Sequence, residues 1–145
     1  MSRAPVSPRR RQRVLAFQTL FMLDVGQMDL EQALDYARQE CPEAEERAWV
    51  EERVRGTWGR GENLDTMIQQ HLQNWSWERV GRAERSLLRL AAYEMLNGQD
   101  LLFSAAISEA VELAKEYGDE KTAPFINGVL DSLWRPPSRG ERAPW

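Results

Sequence analysis

The amino-acid sequence predicts an all-α fold, and three observations support that prediction. Apolar residues recur three and four positions apart along most of the 145-residue chain, which is the spacing of a helix with one buried face. No segment shows the sustained apolar–polar alternation of a half-buried strand. Residue types that start and stop helices, such as Ser7-Pro8 and Asn97-Gly98, separate the periodic segments. We therefore expect helices and no sheet.

Two capped helices are predicted at the start of the chain. Ser7 can cap the first with Pro8 in its first turn, and its apolar spacing ends near Gly26. Asp29 can cap the second, which is predicted over residues 30–40. The predicted buried faces consist of Val14, Phe17, Leu20, Phe21 and Val25 in the first helix and of Leu30, Ala33, Leu34 and Ala37 in the second.

A third and a fourth helix follow, with less sharply marked ends. Pro42 suits the first turn of the third helix, and three glycines between residues 56 and 61 leave its end open. Asn63 is the predicted N-cap of the fourth helix, whose apolar stripe extends to Trp75. Ser76 then restarts the chain.

Three more helices are predicted in the second half of the chain. Residues 83–96 place apolar side chains on more than one face, as expected of a helix at the centre of a bundle. Ser104 opens the next helix, and Gly118 suits the position just after its end. The last helix covers residues 122–134 and contains Gly128, which costs about 1 kcal/mol relative to alanine. That cost suggests the close approach of another helix or of a ligand.

Length and composition indicate one soluble domain. With 42% hydrophobic and 29% charged residues, the chain has the composition of a globular protein. A single cysteine excludes a disulfide-stapled scaffold and a cysteine-rich zinc module, and it fits the reducing cytoplasm. We expect a flexible basic arm over residues 1–7, one helical domain over residues 8–134 and a disordered tail over residues 135–145.

A basic segment followed by an apolar run superficially resembles a secretion signal. Arginines precede the run of residues 14–23, but Gln18, Thr19 and Asp24 interrupt or close it, and no small-x-small cleavage site follows. No other apolar stretch approaches the roughly 20 residues of a membrane span. We therefore expect neither export nor a membrane partner.

The charges are unevenly distributed along the chain. The formal net charge is −4, yet residues 1–23 hold five arginines and no acidic residue, so the remainder carries −9. A basic arm on an acidic body can serve two partners of opposite sign.

Four arginines, Arg9, Arg10, Arg11 and Arg13, fall in the first turns of the first predicted helix. Cations there repel one another and oppose the helix dipole, and their side chains point in several directions because successive residues turn by about 100°. An external phosphate would relieve both problems, since guanidinium groups and helix N-terminal amides bind such anions. The alternative is a solvated arm, or one that pairs with acidic residues of the protein itself.

Aromatic neighbours of the arginines bear on the kind of nucleic acid. Phe17 and Phe21 follow on nearly the same helical face, and aromatic rings near cations favour single-stranded RNA, whose bases stack on them. At this spacing Phe17 is expected in the core, whereas Phe21 is left open. The six tryptophans are expected to serve mostly in packing.

A second set of arginines lies on the central helix. Arg82, Arg85 and Arg89 form a stripe along one side of that helix. For Arg89 we expect a solvated face with weak ion pairs.

Catalysis finds little support in the sequence. Cys41 near a helix start and His71 as its base form the one nucleophilic pair, and they lie far apart in the chain. We find neither a phosphate-binding glycine loop nor metal-ligand spacing. We therefore expect neither a cofactor nor an enzyme.

Three segments carry a resemblance to a known family. Residues 88–96 read LRLAAYEML, residues 106–118 read AISEAVELAKEYG and residues 125–131 read FINGVLD. In this order and spacing they resemble the NusB family of bacterial transcription antitermination factors, over roughly residues 8–134. The resemblance implies a bundle of about seven helices in two packed subdomains and a function without catalysis.

The resemblance also implies partners. Members of the family pair with NusE, a protein of the small ribosomal subunit, and the pair binds the boxA element of nascent single-stranded RNA. Together with NusA, NusG and RNA polymerase they suppress premature termination, notably on ribosomal RNA operons. Either a monomer or a homodimer is compatible with the family.

Individual positions carry the RNA-binding role over. Phe21 stands where the family commonly has a tyrosine, so a hydroxyl contact is lost. Lys121 stands where an acidic residue is common, which should favour RNA binding. Ser108 stands where asparagine is usual, and because its side chain is shorter, a polar contact there is expected to be shorter in reach or absent. The RNA-binding residues implied by the resemblance are Arg9, Arg10, Arg11, Arg13, Phe21, Glu84, Arg85, Lys121, Phe125 and Asn127.

Two other functions stay open. Similar helical domains occur at the front of some ribosomal RNA methyltransferases, but those chains continue into an α/β domain, and we expect none here. A helical protein-interaction module without RNA binding is the other alternative.

Overall fold

Seven α-helices and one short 3₁₀ helix make up the computed structural model, which describes residues 7–26, 28–72, 75–97 and 103–134. The predicted tail, the predicted arm except Ser7, and Gly98 lie outside these residues. The helices are α1 (Pro8–Asp24), α2 (Leu30–Glu40), α3 (Ala44–Gly59), α4 (Gly61–Gln69), the 3₁₀ helix (Trp77–Arg79), α5 (Arg82–Asn97), α6 (Phe103–Tyr117) and α7 (Thr122–Trp134). The prediction of an all-α chain is confirmed.

The first two helices begin at the predicted caps. The Ser7 hydroxyl accepts a hydrogen bond from the Arg10 amide at 3.1 Å. Asp29 and Gln32 form a reciprocal capping box, with two N–H to oxygen distances of 2.9 Å. After α1, Gly26 adopts a φ of 78°, a left-handed conformation that glycine reaches without steric cost.

The predicted starts of the third and fourth helices are wrong by a few residues. Pro42 precedes α3, whose N-cap is Glu43 without a side-chain capping bond. Asn63 lies inside α4, because only Arg60 separates α3 from α4 and serves as the junction between them. The fourth helix ends at Gln69, so Trp75 lies beyond it.

The central position predicted for α5 is confirmed. This helix packs against α1, α3, α4, α6 and α7. Its two faces divide the bundle into an amino-terminal group, α1 to α4, and a carboxy-terminal group that α5 forms with α6 and α7. The α5 side chains that lie in the hydrophobic core are Leu87, Leu88, Leu90, Ala91, Ala92, Tyr93 and Met95.

Ion pairs also connect α5 to the amino-terminal helices. Arg89 is nearly buried and binds Asp65 through two nitrogens, at 2.6 and 2.9 Å, and Asp24 at 3.0 Å. These hydrogen bonds to the two carboxylates raise the pKa of Arg89 against the opposing effect of burial. The prediction of a solvated face at Arg89 is therefore wrong, because its two partners belong to distant parts of the chain.

Two glycines differ in what they allow. A Cβ at Gly56 would overlap the ring of Tyr93, so glycine is required there for close packing of α3 on α5. A Cβ at Gly128 would meet no atom within 4 Å. The sequence suggested two reasons for Gly128, the close approach of another helix or of a ligand. The first of these does not occur.

Among the described helices, none combines the length and apolar character needed to cross a lipid bilayer.

Candidate nucleic-acid interface

Arg13 lies in the interior of the bundle. Its side chain is 7% exposed, and its Nε lies 3.0 and 3.1 Å from the two carboxylate oxygens of Glu94 on α5. Glu94 is buried as well, so the two charges neutralise each other away from water. The predicted phosphate contact of Arg13 is not available in this arrangement, because its guanidinium points into the protein.

Arg10 is paired at the surface. Its guanidinium donates two hydrogen bonds to Glu109 on α6, at 3.2 and 2.9 Å. These bonds raise the pKa of Arg10 and hold the pKa of Glu109 below its ordinary value. The expected alternative of pairing with the protein's own acidic residues is thus observed at Arg10 and Arg13.

The two remaining arginines of the first turns differ in exposure, and Arg9, at 38%, is about as exposed as Arg10. Arg9 stacks over the ring of Trp49 at 4.5 Å and donates a hydrogen bond of 2.5 Å to Gln12. Glu45 lies 3.9 Å from the Arg9 guanidinium. Arg11 is exposed. We call Arg9, Arg10, Arg11 and Arg13 the α1 arginine cluster.

A second candidate surface lies where the 3₁₀ helix, α5 and the start of α7 meet. A groove of about 240 Å³, which we call groove A, opens there. It brings together three of the predicted site residues, Glu84, Lys121 and Phe125, which are up to 41 positions apart in the chain. Trp75 and Arg79 complete its outer wall.

Groove A combines one exposed and one partly buried aromatic ring with cationic groups. Phe125 meets Trp75 edge to face, with ring centroids 5.8 Å apart and planes at 60°. Trp75 is 52% exposed. Arg79 and Lys121 are also exposed, and within the described part of the chain neither side chain forms an ion pair.

The turn before α7 positions Lys121. The Asp119 carboxylate accepts hydrogen bonds from the Lys121 amide at 2.8 Å and from the Thr122 hydroxyl at 3.2 Å. These bonds lower the pKa of Asp119 and occupy its carboxylate at the start of the helix. These bonds hold the backbone of Lys121, and its exposed side chain lines groove A.

The other predicted site residues are not gathered in groove A. Phe21 on α1 is 36% exposed, which answers the question left open for it. Arg85 points to the protein, donating to the backbone carbonyl oxygens of Val80 and Trp77 at 3.0 and 2.5 Å. Asn127 is exposed and lines a neighbouring depression.

The pair considered for catalysis is engaged elsewhere. Cys41 is buried, and burial raises the pKa of its thiol. The His71 Nδ1 atom lies 2.9 Å from the Ser132 hydroxyl, and burial lowers the pKa of the imidazole. A thiol with a raised pKa is a poor nucleophile at neutral pH. In the described ranges no cluster of three or more metal-ligating side chains occurs.

Trp75 and Arg79 are the groove residues that the sequence interpretation missed. The tryptophans were expected to pack, and Trp49 does, with 9% exposure. For Trp58, Trp75 and Trp134 the expectation is wrong, since they are 38%, 52% and 37% exposed. Ser76, a residue type that ends or restarts helices, is the signal beside Trp75 that could have placed this ring outside a helical stripe.

Comparisons with known proteins agree on one family. The NusB family model matches residues 10–135. A transcription antitermination protein NusB of Bacillus pumilus is 42% identical over 125 residues, which cover 86% of this chain and 93% of the relative.

Solved structures give the same result. A NusB of T. maritima superimposes with a TM-score of 0.79 at 35% identity, covering 88% of this chain and 90% of that one. A crystal structure of the antitermination factors NusB and NusE in complex with double-stranded RNA matches with a TM-score of 0.76 at 26% identity, covering 86% and 94%. The resemblance seen in the sequence and the helical architecture therefore point to the same relatives.

Proposed function

The chain belongs to the NusB family, and on this premise we propose that the protein is a transcription antitermination factor that binds RNA together with NusE. Its target is the boxA element of nascent transcripts, especially of ribosomal RNA. It acts in the cytoplasm without catalysis, in an assembly with NusA, NusG and RNA polymerase, and helps to suppress premature termination.

Groove A is the observation that carries this proposal. Its rings, Phe125 and Trp75, offer faces or edges for unpaired bases, while Lys121 and Arg79 offer charge for the phosphates. The Glu84 carboxylate can accept hydrogen bonds from base amino groups. Cation, aromatic ring and acceptor within one groove match the chemistry of a single RNA strand.

The α1 arginine cluster supplies a smaller share of the phosphate contacts than four arginines suggest. Arg11 is exposed and binds a phosphate directly. Arg9 is half-buried over Trp49 with Glu45 nearby, and it binds a phosphate on its open side. Arg10 contributes after exchanging Glu109 for a phosphate. Arg13 positions α1 on α5 through Glu94 and does not touch RNA.

The acidic remainder of the chain suits a basic partner. Residues after the first 23 carry a formal charge of −9, and a ribosomal protein such as NusE is expected to be basic. We propose that NusE binds this acidic body while RNA follows the arginines and groove A. Phe21 and Asn127 lie at the edge of that RNA path. Arg85 does not touch RNA in this arrangement but holds the backbone of Trp77 and Val80 beside groove A through its hydrogen bonds.

Titration of a boxA RNA with and without NusE at several salt concentrations tests the proposal. We expect binding that is tighter with NusE, weakens with salt, and prefers boxA RNA over a scrambled strand and over a duplex of the same sequence. Lys121→Ala should weaken binding. Arg38→Ala is the control, because that arginine is paired with Asp35 and Glu51 at 2.6 and 3.0 Å and lines neither groove A nor the depression around Asn127.

Two outcomes would contradict the proposal. Equal affinity for boxA and scrambled RNA in the presence of NusE would remove the assigned target. Recovery of protein partners that resist ribonuclease, together with no RNA binding, would favour an interaction module instead.

A further inference from the structure

The exposure of Trp75 is not explained by packing. A tryptophan ring is the largest apolar side chain and is usually covered. Trp77, only two residues later, is covered by Arg85 and Arg89, whose guanidinium carbons lie 4.7 and 5.7 Å from its ring centroid. Trp75 touches Phe125 at an edge and leaves half of its surface open. The two rings thus differ in what covers them.

A second groove lies on the other side of the Trp75–Phe125 pair. This groove B has a volume of about 490 Å³ and is lined further by His71, Gly128 and Asp131. Because Trp75 and Phe125 line both grooves, the two grooves adjoin at this pair of aromatic rings. A strand bound in groove A therefore passes beside groove B if it extends over the rings.

Gly128 keeps the surface of groove B open. Glycine inside a helix is unfavourable relative to alanine, and packing does not require it here, because a Cβ at this position would meet no atom within 4 Å. A glycine inside a helix suggests the close approach of another helix or of a ligand. Because no helix packs against Gly128, the approach of a ligand is the explanation that is left. The position of Gly128 beside the exposed rings agrees with a flat ligand lying across the helix.

The charged groups of the two grooves differ. Groove A holds two cations, Arg79 and Lys121, together with the carboxylates of Glu84 and Asp119, whereas the Asp131 carboxylate and the His71–Ser132 hydrogen bond line groove B. A phosphate therefore finds cationic partners in groove A and meets the Asp131 carboxylate in groove B. A neutral base with an exocyclic amino group suits groove B, because carboxylate and hydroxyl oxygens accept hydrogen bonds from such a group.

We propose that groove B is a second base-binding subsite, in which one unpaired RNA base stacks on Trp75 and lies over Gly128 while a neighbouring nucleotide occupies groove A. This inference rests on the proposed function, since it names how the same RNA continues past Phe125. It assigns Trp75 a direct RNA contact and Gly128 a role in leaving room for it.

A double-mutant cycle tests the subsite, in which one change is a protein variant and the other is the removal of a single RNA base. The native protein with NusE is titrated with boxA RNAs that each carry one abasic nucleotide. We expect one position, next to the nucleotide bound in groove A, at which loss of the base weakens binding by about 5- to 150-fold, the range for one aromatic stacking contact. In Trp75→Ala the same abasic position should cause almost no further loss.

Matched variants separate this subsite from general damage. Trp58→Ala removes an equally apolar exposed ring that lines neither groove, and it should leave the abasic penalty unchanged. Gly128→Leu should weaken binding and remove the penalty by filling groove B, whereas Gly128→Ala should have a smaller effect. Thermal unfolding of each variant checks that it is folded, and Trp75→Phe should retain part of the penalty.

The outcomes distinguish this inference from the function on which it rests. Absence of RNA binding by the native protein with NusE would overturn the proposed function and the subsite together. Binding in which Trp75→Ala and every abasic change act independently would overturn the subsite alone. Loss of NusE binding in Trp75→Ala without RNA would also overturn it, because groove B would then hold a protein segment.

Discussion

The molecule has two regions with cationic side chains, and they differ in how much of that positive charge is available to a ligand. In the α1 arginine cluster, Arg13 is buried against Glu94 and Arg10 is held by Glu109. In groove A, Arg79 and Lys121 are exposed beside two aromatic rings, without an ion pair to other described residues. The region with more charge in the sequence thus has a larger part of it committed to the fold.

This difference shows that a run of arginines serves two purposes at once. Arg13 fastens α1 to the central helix α5 across 81 positions of sequence, and Arg10 fastens it to α6 across 99. Such long-range pairs hold α1 in place and leave Arg11 exposed to solvent. In groove A the positioning is instead done by Asp119, which leaves the side chain of Lys121 for a ligand.

The largest effect that tests this comparison is expected at Arg13. Arg13→Ala removes the guanidinium that is hydrogen-bonded to the buried Glu94 carboxylate, and loss of one member of a buried ion pair costs up to about 3–5 kcal/mol. Chemical denaturation should show this loss of the free energy of unfolding. Arg11→Ala is the control, since an exposed substitution changes stability by roughly 0.5 kcal/mol or less. Equal stabilities of the two variants would mean that Arg13 is not a structural residue.

A smaller effect of opposite sign is expected at Gly128 in groove B. Gly128→Ala should raise the free energy of unfolding by about 1 kcal/mol, because alanine is the better helix former and its Cβ meets no neighbour. Gly56→Ala is the packed counterpart and should destabilise the protein, since its Cβ would overlap the Tyr93 ring. Thermal unfolding of both variants measures the contrast. Destabilisation by Gly128→Ala would show that this surface is less open than the structure indicates.

The pH dependence of the Arg10–Glu109 pair gives the next effect. The pKa of Glu109 is lowered by Arg10, so the pair stabilises the folded state above the pKa of a free glutamate, about 4.3. That stability is lost as the pH falls through the lowered value. We expect Glu109→Gln to be less stable than the native protein at pH 7 by under about 1 kcal/mol, because the pair is partly exposed.

Denaturation curves between pH 7 and pH 3 measure this prediction. The difference between native protein and Glu109→Gln should shrink as the pH falls toward 3, because protonation of Glu109 removes its charge from the pair. Glu62→Gln, at an exposed position of α4 that forms no ion pair with other described residues, is the control. A difference that does not shrink as the pH falls would contradict an electrostatic origin.

Much of the fold could be predicted from the sequence because helices are local. The spacing of apolar residues and the caps at Ser7 and Asp29 depend on neighbours in the chain, and they placed seven helices in the correct order. The start of α4 was missed because it depends on the backbone turn at Arg60, whereas Asn63 only resembles a cap.

Less of the candidate site could be predicted, because it depends on contacts between distant segments. That Arg13 and Arg89 are buried follows from carboxylates on other helices, which a local pattern does not reveal. The resemblance named Glu84, Lys121 and Phe125, and the structure brings them into one groove. Trp75 was missed because an apolar residue at helical spacing predicts burial, yet α4 ends before it.

The smallest expected effect is on the salt dependence of RNA affinity. It compares the loss of one cation from groove A with the loss of one from the α1 arginine cluster. Each phosphate contact with a single strand contributes about 0.7 to the slope of log affinity against log salt. Lys121→Ala should therefore reduce the magnitude of the slope by about 0.7. Between 50 and 200 mM salt, the variant should then lose roughly threefold less affinity than the native protein loses. Arg10→Ala should reduce it by less, because Glu109 already neutralises that guanidinium and fewer counterions are released. Titrations of boxA RNA with NusE over this range measure both slopes. A larger reduction from Arg10→Ala would reverse the comparison and make the α1 arginine cluster the main phosphate contact.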